Sequence, residues 1–430
     1  MIYHVLVTII KWFYQMFYKR VYIQGLENIP EGKPVLLAAN HSNGLLDPFS
    51  IAIFLLVKRP IHFLARADIF KGKFLIWLFG ELHMRPIYRP RDGADYVEKN
   101  DKIFDEVNGW LLSKKAVLIF PEGSNKAAKR LRMLKKGTVR MGFRAWEDGA
   151  DVHIVPTGIN YTYHRGKRCD VMISYGKPMR LEDYRASFDE NTRKTYRKVN
   201  HDLFELIQGE MVVIDTPESE TIAEQMLIIG RNDFSEARFP IVVKNPRRLA
   251  YEQRITQKIN TLEKTDLDAL QVLKNQANTY FETLKTLNMT DGAVKNYKQA
   301  NSFIILLLAP LAKLLGLVLH APLNYFEKMA TKMTVKDKSM FITIWANSTM
   351  VFYIALGLLW GILGTVFLGL IIGVGSLIIF VFLTYWTGII LEIRKTDKAN
   401  SDLENLNTQS PEKVKALEAG RLELSKWIRS

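Results

Sequence analysis

Between about residues 21 and 210, short β-rich runs alternate with longer stretches in which apolar residues recur three and four positions apart. This alternation is typical of an α/β domain, in which helices flank a β-sheet. The runs predict strands over residues 35–39, 116–120, 153–159 and 170–175. The stretches between them predict helices over residues 49–57, 94–112 and 139–146.

The segments outside this domain have different patterns. Residues 1–20 combine helical spacing of apolar side chains with Lys11, Lys19 and Arg20, which predicts an amphipathic helix at a membrane interface. Residues 211–300 are polar and helix-favouring, and a pair of long amphipathic helices is expected over 246–287. Residues 301–325 form an apolar segment that contains Pro310 and Lys313, so the pattern does not decide between a buried, a re-entrant and a weakly spanning helix.

Residues 340–391 contain no Asp, Glu, Lys or Arg. A spanning helix needs only about 20 residues, so a transmembrane helical hairpin is predicted over 340–393, joined near 361–365. Lysines and arginines flank both ends, which predicts an integral membrane protein with its α/β domain on the cytoplasmic face. Residues 394–430 are expected to form a polar C-terminal tail.

The net charge of +15 indicates an anionic partner, which is nucleic acid, a lipid headgroup surface or a phosphorylated substrate. Nucleic acid is disfavoured, because the basic residues that follow residue 120 lie beside an apolar strand and the chain carries a predicted membrane hairpin. A single cysteine, Cys169, excludes an intramolecular disulfide framework. No motif indicates a metal site.

A histidine and a carboxylate follow the first predicted strand, as His41 and Asp47. Imidazole is the usual base for activating a hydroxyl, and a carboxylate on its other ring nitrogen fixes the tautomer and stabilises the imidazolium. Asp47 precedes a proline at a predicted helix start, so an N-cap role is also expected of it. The two roles are compatible.

A second loop follows the strand over 116–120, with the sequence Pro121-Glu122-Gly123-Ser124-Asn125-Lys126 and further lysines and arginines behind it. Backbone amides near a glycine, together with basic side chains, form a natural cradle for phosphate. The alternative is a solvated basic loop without a ligand.

Taken together, the His-Asp pair and the Phe-Pro-Glu-Gly turn resemble the glycerolipid acyltransferase family, which includes glycerol-3-phosphate and lysophosphatidic acid acyltransferases. Two weaker blocks follow in the family's order. Residues 85–89 end in Arg89, which matches a contact to the acceptor phosphate, and residues 155–159 contain Pro156 on the acyl-donor side. The resemblance covers about residues 21–177.

The resemblance implies that His41, assisted by Asp47, deprotonates a hydroxyl that attacks the thioester of acyl-coenzyme A or acyl carrier protein. No cofactor besides that co-substrate is implied. The expected partners are this acyl donor, a phosphate-bearing glycerol-type acceptor and membrane lipids. The residues expected to bind substrate are Arg89, Glu122, Gly123, Ser124, Lys126, Lys136 and Pro156.

Three departures from the family pattern stand out. Five residues rather than four separate His41 from Asp47, and Gly44 is expected to accommodate the longer turn. Asn125 replaces an arginine, for which Lys126, Lys129 or Arg130 are possible substitutes, and His83 replaces a glycine. The longer gap resembles the glycerol-phosphate and dihydroxyacetone-phosphate branch.

The expected activity is therefore acyl transfer to glycerol 3-phosphate or dihydroxyacetone phosphate in phospholipid synthesis. The alternative acceptor is 1-acylglycerol 3-phosphate or another lysophospholipid. An alternative of another class is a non-catalytic scaffold that binds lipid at the membrane surface.

Overall fold

The computed structural model describes residues 3–4, 7–8, 10–11, 18–44, 46–55, 60–162, 169–234, 242–244, 247–296, 303–319, 321–334 and 341–430. The chain forms two compact units. The first comprises Met1–Val213, Phe239–Leu249 and Lys336–Thr343, and the second comprises Ile214–Arg238, Ala250–Val335 and Ile344–Ser430.

The first unit is built on a mixed β-sheet. Its strands in the described part of the chain are β1 (Arg20–Gln24), β2 (Val35–Ala39), β3 (Ile61–Arg66), β4 (Met84–Ile87), β5 (Ala116–Ile119), β6 (His153–Tyr161), β7 (Asp170–Tyr175), β8 (Met179–Arg180) and β9 (Val242–Val243). Their order across the sheet is β4-β3-β5-β2-β6-β7-β1-β9, and β8 pairs with β6. Neighbours are parallel, except that β6 runs antiparallel to β7 and β8.

Helices flank this sheet, which confirms the predicted α/β domain. They are α1 (Leu46–Leu55), α2 (Gly72–Glu81), α3 (Tyr96–Leu112), α4 (Gly137–Glu147) and α5 (Arg185–Gly209). Apolar residues of α3, α4 and α5 form one core with Leu36 and Ala38 of β2. The alternate residues Val35 and Leu37 are equally buried, so both faces of this central strand are covered.

The register places the loops that carry the motifs at one edge of the sheet. β2 and β5 are parallel neighbours, with Val35 opposite Ala116. Their carboxyl ends therefore lie side by side, and the loops that contain His41 and Glu122 leave the sheet at the same edge. Open α/β sheets bind ligands at this edge.

The predicted strands and helices of this unit are confirmed, with shifted ends. The first predicted helix begins three residues earlier, at Leu46, and residues 56 and 57 lie outside the described part of the chain. Strands β1, β3, β4, β8 and β9 and helices α2 and α5 were not predicted. At the N-terminus the described residues up to Lys11 are helical and bury Tyr3, Val7 and Ile10, whereas residues 12–17 of the predicted helix lie outside the description.

The second unit is helical in its described part. Its helices are α6 (Glu220–Asp233), α7 (Arg247–Thr265), which starts in the first unit, α8 (Leu267–Thr286), α9 (Asp291–Lys295), α10 (Phe303–Leu319), α11 (Ala321–Met333), α12 (Phe341–Leu368), α13 (Leu370–Gln409) and α14 (Pro411–Arg429). The pair α7 and α8 confirms the two amphipathic helices expected there. Within the apolar segment, α10 packs against α13 through Ala312 and Ile390.

The C-terminal region differs from the prediction in two respects. Residues 361–365, where the connection of a hairpin was predicted, are helical. The helix is interrupted at Gly369 instead. The expected polar tail is also helical, in the end of α13 and in α14. It is packed as well, since Arg421 of α14 is buried and donates to Asp233 at 2.8 Å and to Asp291 at 2.9 Å. Among the described residues, one segment, Ser348–Val366, is long and apolar enough to cross a bilayer.

The approach of Gly25 to β7 leads to a first prediction. Gly25 has a φ of 74°, and a Cβ there would lie 2.0 Å from the carbonyl oxygen of Tyr175. Gly25→Ala should therefore lower the free energy of unfolding by about 1–2 kcal/mol for the left-handed backbone, and by about 1–3 kcal/mol more for the clash. Thermal unfolding of the purified chain measures the loss.

Gly32→Ala is the matched control, because Gly32 has a φ of 66° but nothing within 4 Å of an added Cβ. Its effect isolates the cost of the backbone conformation. Equal losses in the two variants would contradict the predicted clash.

Candidate active site

The site begins where β2 ends. Asn40 follows the strand and locks it to β6, because its Nδ2 donates to the Ile159 carbonyl at 3.0 Å and its Oδ1 accepts from the Ile159 amide at 2.7 Å. The side chain thus continues the hydrogen bonding of the sheet past the last residue of β2. His41 is the next residue, and its backbone position is fixed by this lock.

The Asp47 carboxylate is the best-satisfied group of the site. Its side chain is fully buried. Oδ2 lies 2.8 Å from Nδ1 of His41 and accepts from the amides of Ser42 and Asn43, both at 2.8 Å. Oδ1 accepts from the Tyr161 hydroxyl at 2.6 Å. Four donors therefore keep the negative charge stable in a site without water contact.

A tight turn brings Asp47 back to the histidine. Gly44 has a φ of 40°, and the Leu46 amide donates to the Asn43 carbonyl at 2.8 Å. The expectation that Gly44 accommodates the longer gap is thus confirmed. The expected N-cap role is not seen, because Asp47 is the second residue of α1. Its Oδ2 instead accepts from the amides of residues 42 and 43, which precede the helix.

The His41 ring is held on two sides. It stacks on Phe120, with 4.0 Å between the ring centroids and 18° between the planes. Its Nδ1–H donates to the Asp47 carboxylate, so Nε2 is the nitrogen with a basic lone pair. The side chain retains 16% of its exposure. This arrangement has the features of an oriented general base.

Glu122 ties the second loop to the first. Its buried carboxylate accepts from the His41 amide at 2.7 Å through Oε1 and from Nε of Arg132 at 2.8 Å through Oε2. The Lys126 amide donates to the His41 carbonyl at 3.0 Å. Both backbone polar groups of His41 are therefore bonded to the second loop.

The Phe-Pro-Glu-Gly segment is a hydrogen-bonded turn. The Gly123 amide donates to the Phe120 carbonyl at 3.0 Å, and Gly123 has a φ of 73°. Ser124 accepts from Nη1 of Arg132 at 2.7 Å. The backbone amides of His41 and Gly123 thus both donate within the protein, to the Glu122 carboxylate and to the Phe120 carbonyl.

Arg89, the expected phosphate contact, is engaged by two carboxylates. It donates to Asp92 at 3.0 Å through Nε and to Asp68 at 2.9 Å through Nη2. The hydrogen bond from Arg66, with a further one from Arg89, lowers the pKa of Asp68 to about 2. These hydrogen bonds connect Arg89 to the loops after β3 and β4, and not to the histidine loop.

The other expected binding residues with a side chain outside the turn are Pro156, Lys126 and Lys136. Pro156 is buried in β6 opposite Ala38, and its carbonyl oxygen accepts from the Gly176 amide at 2.8 Å. The side chains of Lys126 and Lys136 are exposed. Among the residues that the structure describes, no group of three or more His, Cys, Asp and Glu side chains is arranged to hold a metal ion.

Two residues of the site were missed by the sequence analysis as site residues. Tyr161, at the end of β6, donates to Asp47, and Arg132 orients Glu122 and Ser124. A tyrosine at the end of a strand next to β2 is the signal that would have identified the first. Burial, followed by the nearby charge of Asp47, raises the pKa of Tyr161 well above its usual value, so its hydroxyl remains a donor.

Residues 20–160 match a family model described as Acyltransferase. Among solved structures, the 1-acyl-sn-glycerophosphate (LPA) acyltransferase PlsC from Thermotoga maritima shares 22% sequence identity, with a TM-score of 0.32. The match covers 44% of this chain and 72% of that chain. A TM-score this low supports no conclusion about substrate. A search of curated proteins finds no match to the chain.

The contact between Tyr161 and Asp47 leads to a prediction about stability. Tyr161→Phe removes a donor from a buried carboxylate, which should lower the free energy of unfolding by about 1.5–3 kcal/mol. Tyr175→Phe is the matched control, because the Tyr175 hydroxyl is buried and has no hydrogen-bond partner among the described residues. Thermal unfolding of both variants measures the difference, and equal midpoints would contradict the prediction.

Proposed function

We propose that this chain is a glycerolipid acyltransferase that transfers a fatty acyl group to glycerol 3-phosphate or dihydroxyacetone phosphate, a proposal supported by the match of residues 20–160 to the Acyltransferase family model. The observation that carries this proposal is the hydrogen bond between Nδ1 of His41 and the buried Asp47 carboxylate, at the edge of the sheet where both motif loops meet. The donor is a thioester of coenzyme A or acyl carrier protein.

The proposed reaction proceeds by general base catalysis. Nε2 of His41 takes the proton of the acceptor hydroxyl, and the oxygen attacks the thioester carbonyl to form a tetrahedral intermediate. The intermediate collapses as the carbon–sulfur bond breaks, and the thiolate takes the proton back from the imidazolium. The products are the ester and the free thiol, and no acyl-enzyme forms.

The carboxylates support this reaction in different ways. Asp47 holds the Nδ1–H tautomer and stabilises the positive charge that His41 acquires, while Tyr161 keeps the carboxylate oriented. Glu122 fixes the backbone of His41, so its contribution is to position the base. This role supplements the acceptor contact that the resemblance implies for Glu122.

The choice of acceptor rests on the histidine loop. The extra residue between His41 and Asp47, accommodated by the left-handed Gly44, supports the glycerol-phosphate branch. In this proposal Arg89 contacts the acceptor phosphate, while the exposed Lys126 and Lys136 add positive charge. Lysophosphatidic acid or another lysophospholipid is the alternative acceptor.

We further propose that the enzyme is integral to the membrane, with the catalytic domain on the cytoplasmic face. The apolar segment Ser348–Val366 of α12 supports one crossing. The apolar first half of α13 is proposed as the second, and Gly369 then separates the two helices. A membrane location suits the reaction, because a long-chain product partitions into the bilayer.

Substitutions at the base test the proposed chemistry. His41→Ala should lower kcat by about 10²–10⁴-fold, the usual contribution of general base catalysis. Asp47→Asn should also lower kcat strongly. Because two backbone amides converge on Oδ2, the amide oxygen of the new side chain is expected to occupy that position and keep the His41 tautomer, so the loss measures the missing charge.

Product formation from radiolabelled acyl-coenzyme A and glycerol 3-phosphate is the measurement. His201→Ala, which removes an exposed histidine of α5, is the control. Unchanged turnover in both the His41 and the Asp47 variants would contradict the enzyme mechanism and favour the lipid-binding scaffold.

A panel of acceptors tests the substrate and the role of Arg89. With one acyl-coenzyme A, turnover should be greatest on glycerol 3-phosphate or dihydroxyacetone phosphate. Arg89→Gln should raise the KM for that acceptor by about 10-fold to 100-fold with a smaller change in kcat, because a charge-assisted contact to phosphate is lost. Arg91→Gln, at the exposed neighbouring position, is the control.

Greater turnover on lysophosphatidic acid would make the alternative acceptor the correct one. An unchanged KM in the Arg89 variant would remove Arg89 from the phosphate site. It would then leave Arg89 as part of the ion pairs with Asp68 and Asp92 alone.

A further inference from the structure

Helix α2 of the acyltransferase domain is apolar around most of its circumference. Its sequence between Lys73 and Gly80 is Phe-Leu-Ile-Trp-Leu-Phe, yet of these side chains only Phe79 is buried. Phe74, Ile76 and Trp77 are 67%, 54% and 50% exposed. A helix that is hydrophobic on all sides normally lies in a protein core or in lipid, and this one is not in the core.

The length of α2 decides whether it could cross a bilayer or could only lie in the membrane interface. Ten residues of helix extend about 15 Å, which is half of the hydrocarbon thickness that a spanning helix crosses. Helix α2 also connects two parallel strands, β3 and β4, so both of its ends are fixed to the sheet. It is therefore suited to lie in the membrane interface and not to cross the bilayer.

The charges beside the helix indicate the kind of surface. Lys71 and Lys73 are exposed at the N-terminal end of α2. Positive charges at a helix N-terminus interact unfavourably with the helix dipole, so the two lysines do not stabilise the helix itself. Anionic lipid headgroups would explain these lysines, because each basic residue near such a surface is attracted to it. Trp77 carries the amphipathic ring that prefers the headgroup zone.

The position of α2 connects this surface to the site. The helix starts shortly after the carboxyl end of β3, and β3 is the parallel neighbour of β5, which leads into the Glu122 turn. The basic end of α2 thus lies on the same edge of the sheet as His41. We propose that α2 is a membrane-docking helix, which inserts Phe74 and Trp77 into an anionic bilayer and turns the catalytic edge toward the lipid. This inference does not depend on which acceptor the enzyme uses.

A fluorescent label on the helix tests the proposal in the full chain. Phe74→Cys, in a Cys169→Ala background, is labelled with an environment-sensitive dye, and the protein is reconstituted in vesicles of phosphatidylcholine and phosphatidylglycerol. Ser113→Cys is the matched control, because Ser113 is exposed and lies just before β5, at the opposite edge of the sheet. The dye at position 74 should shift to the blue and lose most of its emission to nitroxide-labelled lipid, whereas the dye at 113 should do neither.

Charge supplies the second arm of the experiment. Replacing phosphatidylglycerol by phosphatidylcholine, or introducing Lys71→Glu with Lys73→Glu, should weaken lipid quenching at position 74. If the Cys169→Ala chain does not fold, Cys169 is retained, and labelling of the unaltered chain measures its background, since the thiol is buried.

Two outcomes would overturn the proposal. Equal access of an aqueous quencher to positions 74 and 113, with no lipid quenching at 74, would show that α2 faces water. A blue shift without lipid quenching would show that protein covers the helix, through a second copy of the chain or another segment of it.

Discussion

A carboxylate removed from water is unstable unless donors surround it, and Asp47 meets this condition with four. Two of them are backbone amides from the loop that also carries His41. The same interaction that stabilises the buried charge therefore folds the loop and aims the imidazole. The third donor is His41 itself. The fourth, Tyr161, joins the loop to the far end of β6, so the site depends on the register of the sheet.

A second carboxylate holds the backbone of the same histidine. Glu122 accepts the His41 amide, and the Lys126 amide returns a bond to the His41 carbonyl, so the two motif loops form one unit. Arg132 balances the charge of Glu122. This explains why a Phe-Pro-Glu-Gly turn accompanies the His-Asp pair: the glutamate must leave β5 at a fixed angle, and the turn closed by Gly123 provides it.

Local features of this site could be predicted from the sequence, and distant ones could not. The pairing of His41 with Asp47 depends on six positions of one loop and on a glycine that permits a left-handed turn. Tyr161 lies 114 positions from Asp47, and only the pairing of β6 with β2 brings them together. The fold shows the same limit: β4 was missed because Pro86 weakens its strand pattern, and its place at the edge of the sheet is what permits a proline there.

Two departures from the family pattern, His83 and Asn125, are each compensated by contacts of neighbouring side chains. His83 has a φ of 57°, which explains why glycine is usual there, and its ring stacks between Tyr3 and His62. Burial, followed by the proximity of His83 and Lys115, lowers the pKa of His62 to about 4, so that ring stays neutral within the stack near pH 7. Asn125 stands where the family pattern has an arginine, but the Arg132 guanidinium binds Ser124 and Glu122 in the same turn. A positive charge is thus supplied by Arg132, seven positions further along the chain, and its guanidinium holds the glutamate that fixes the base.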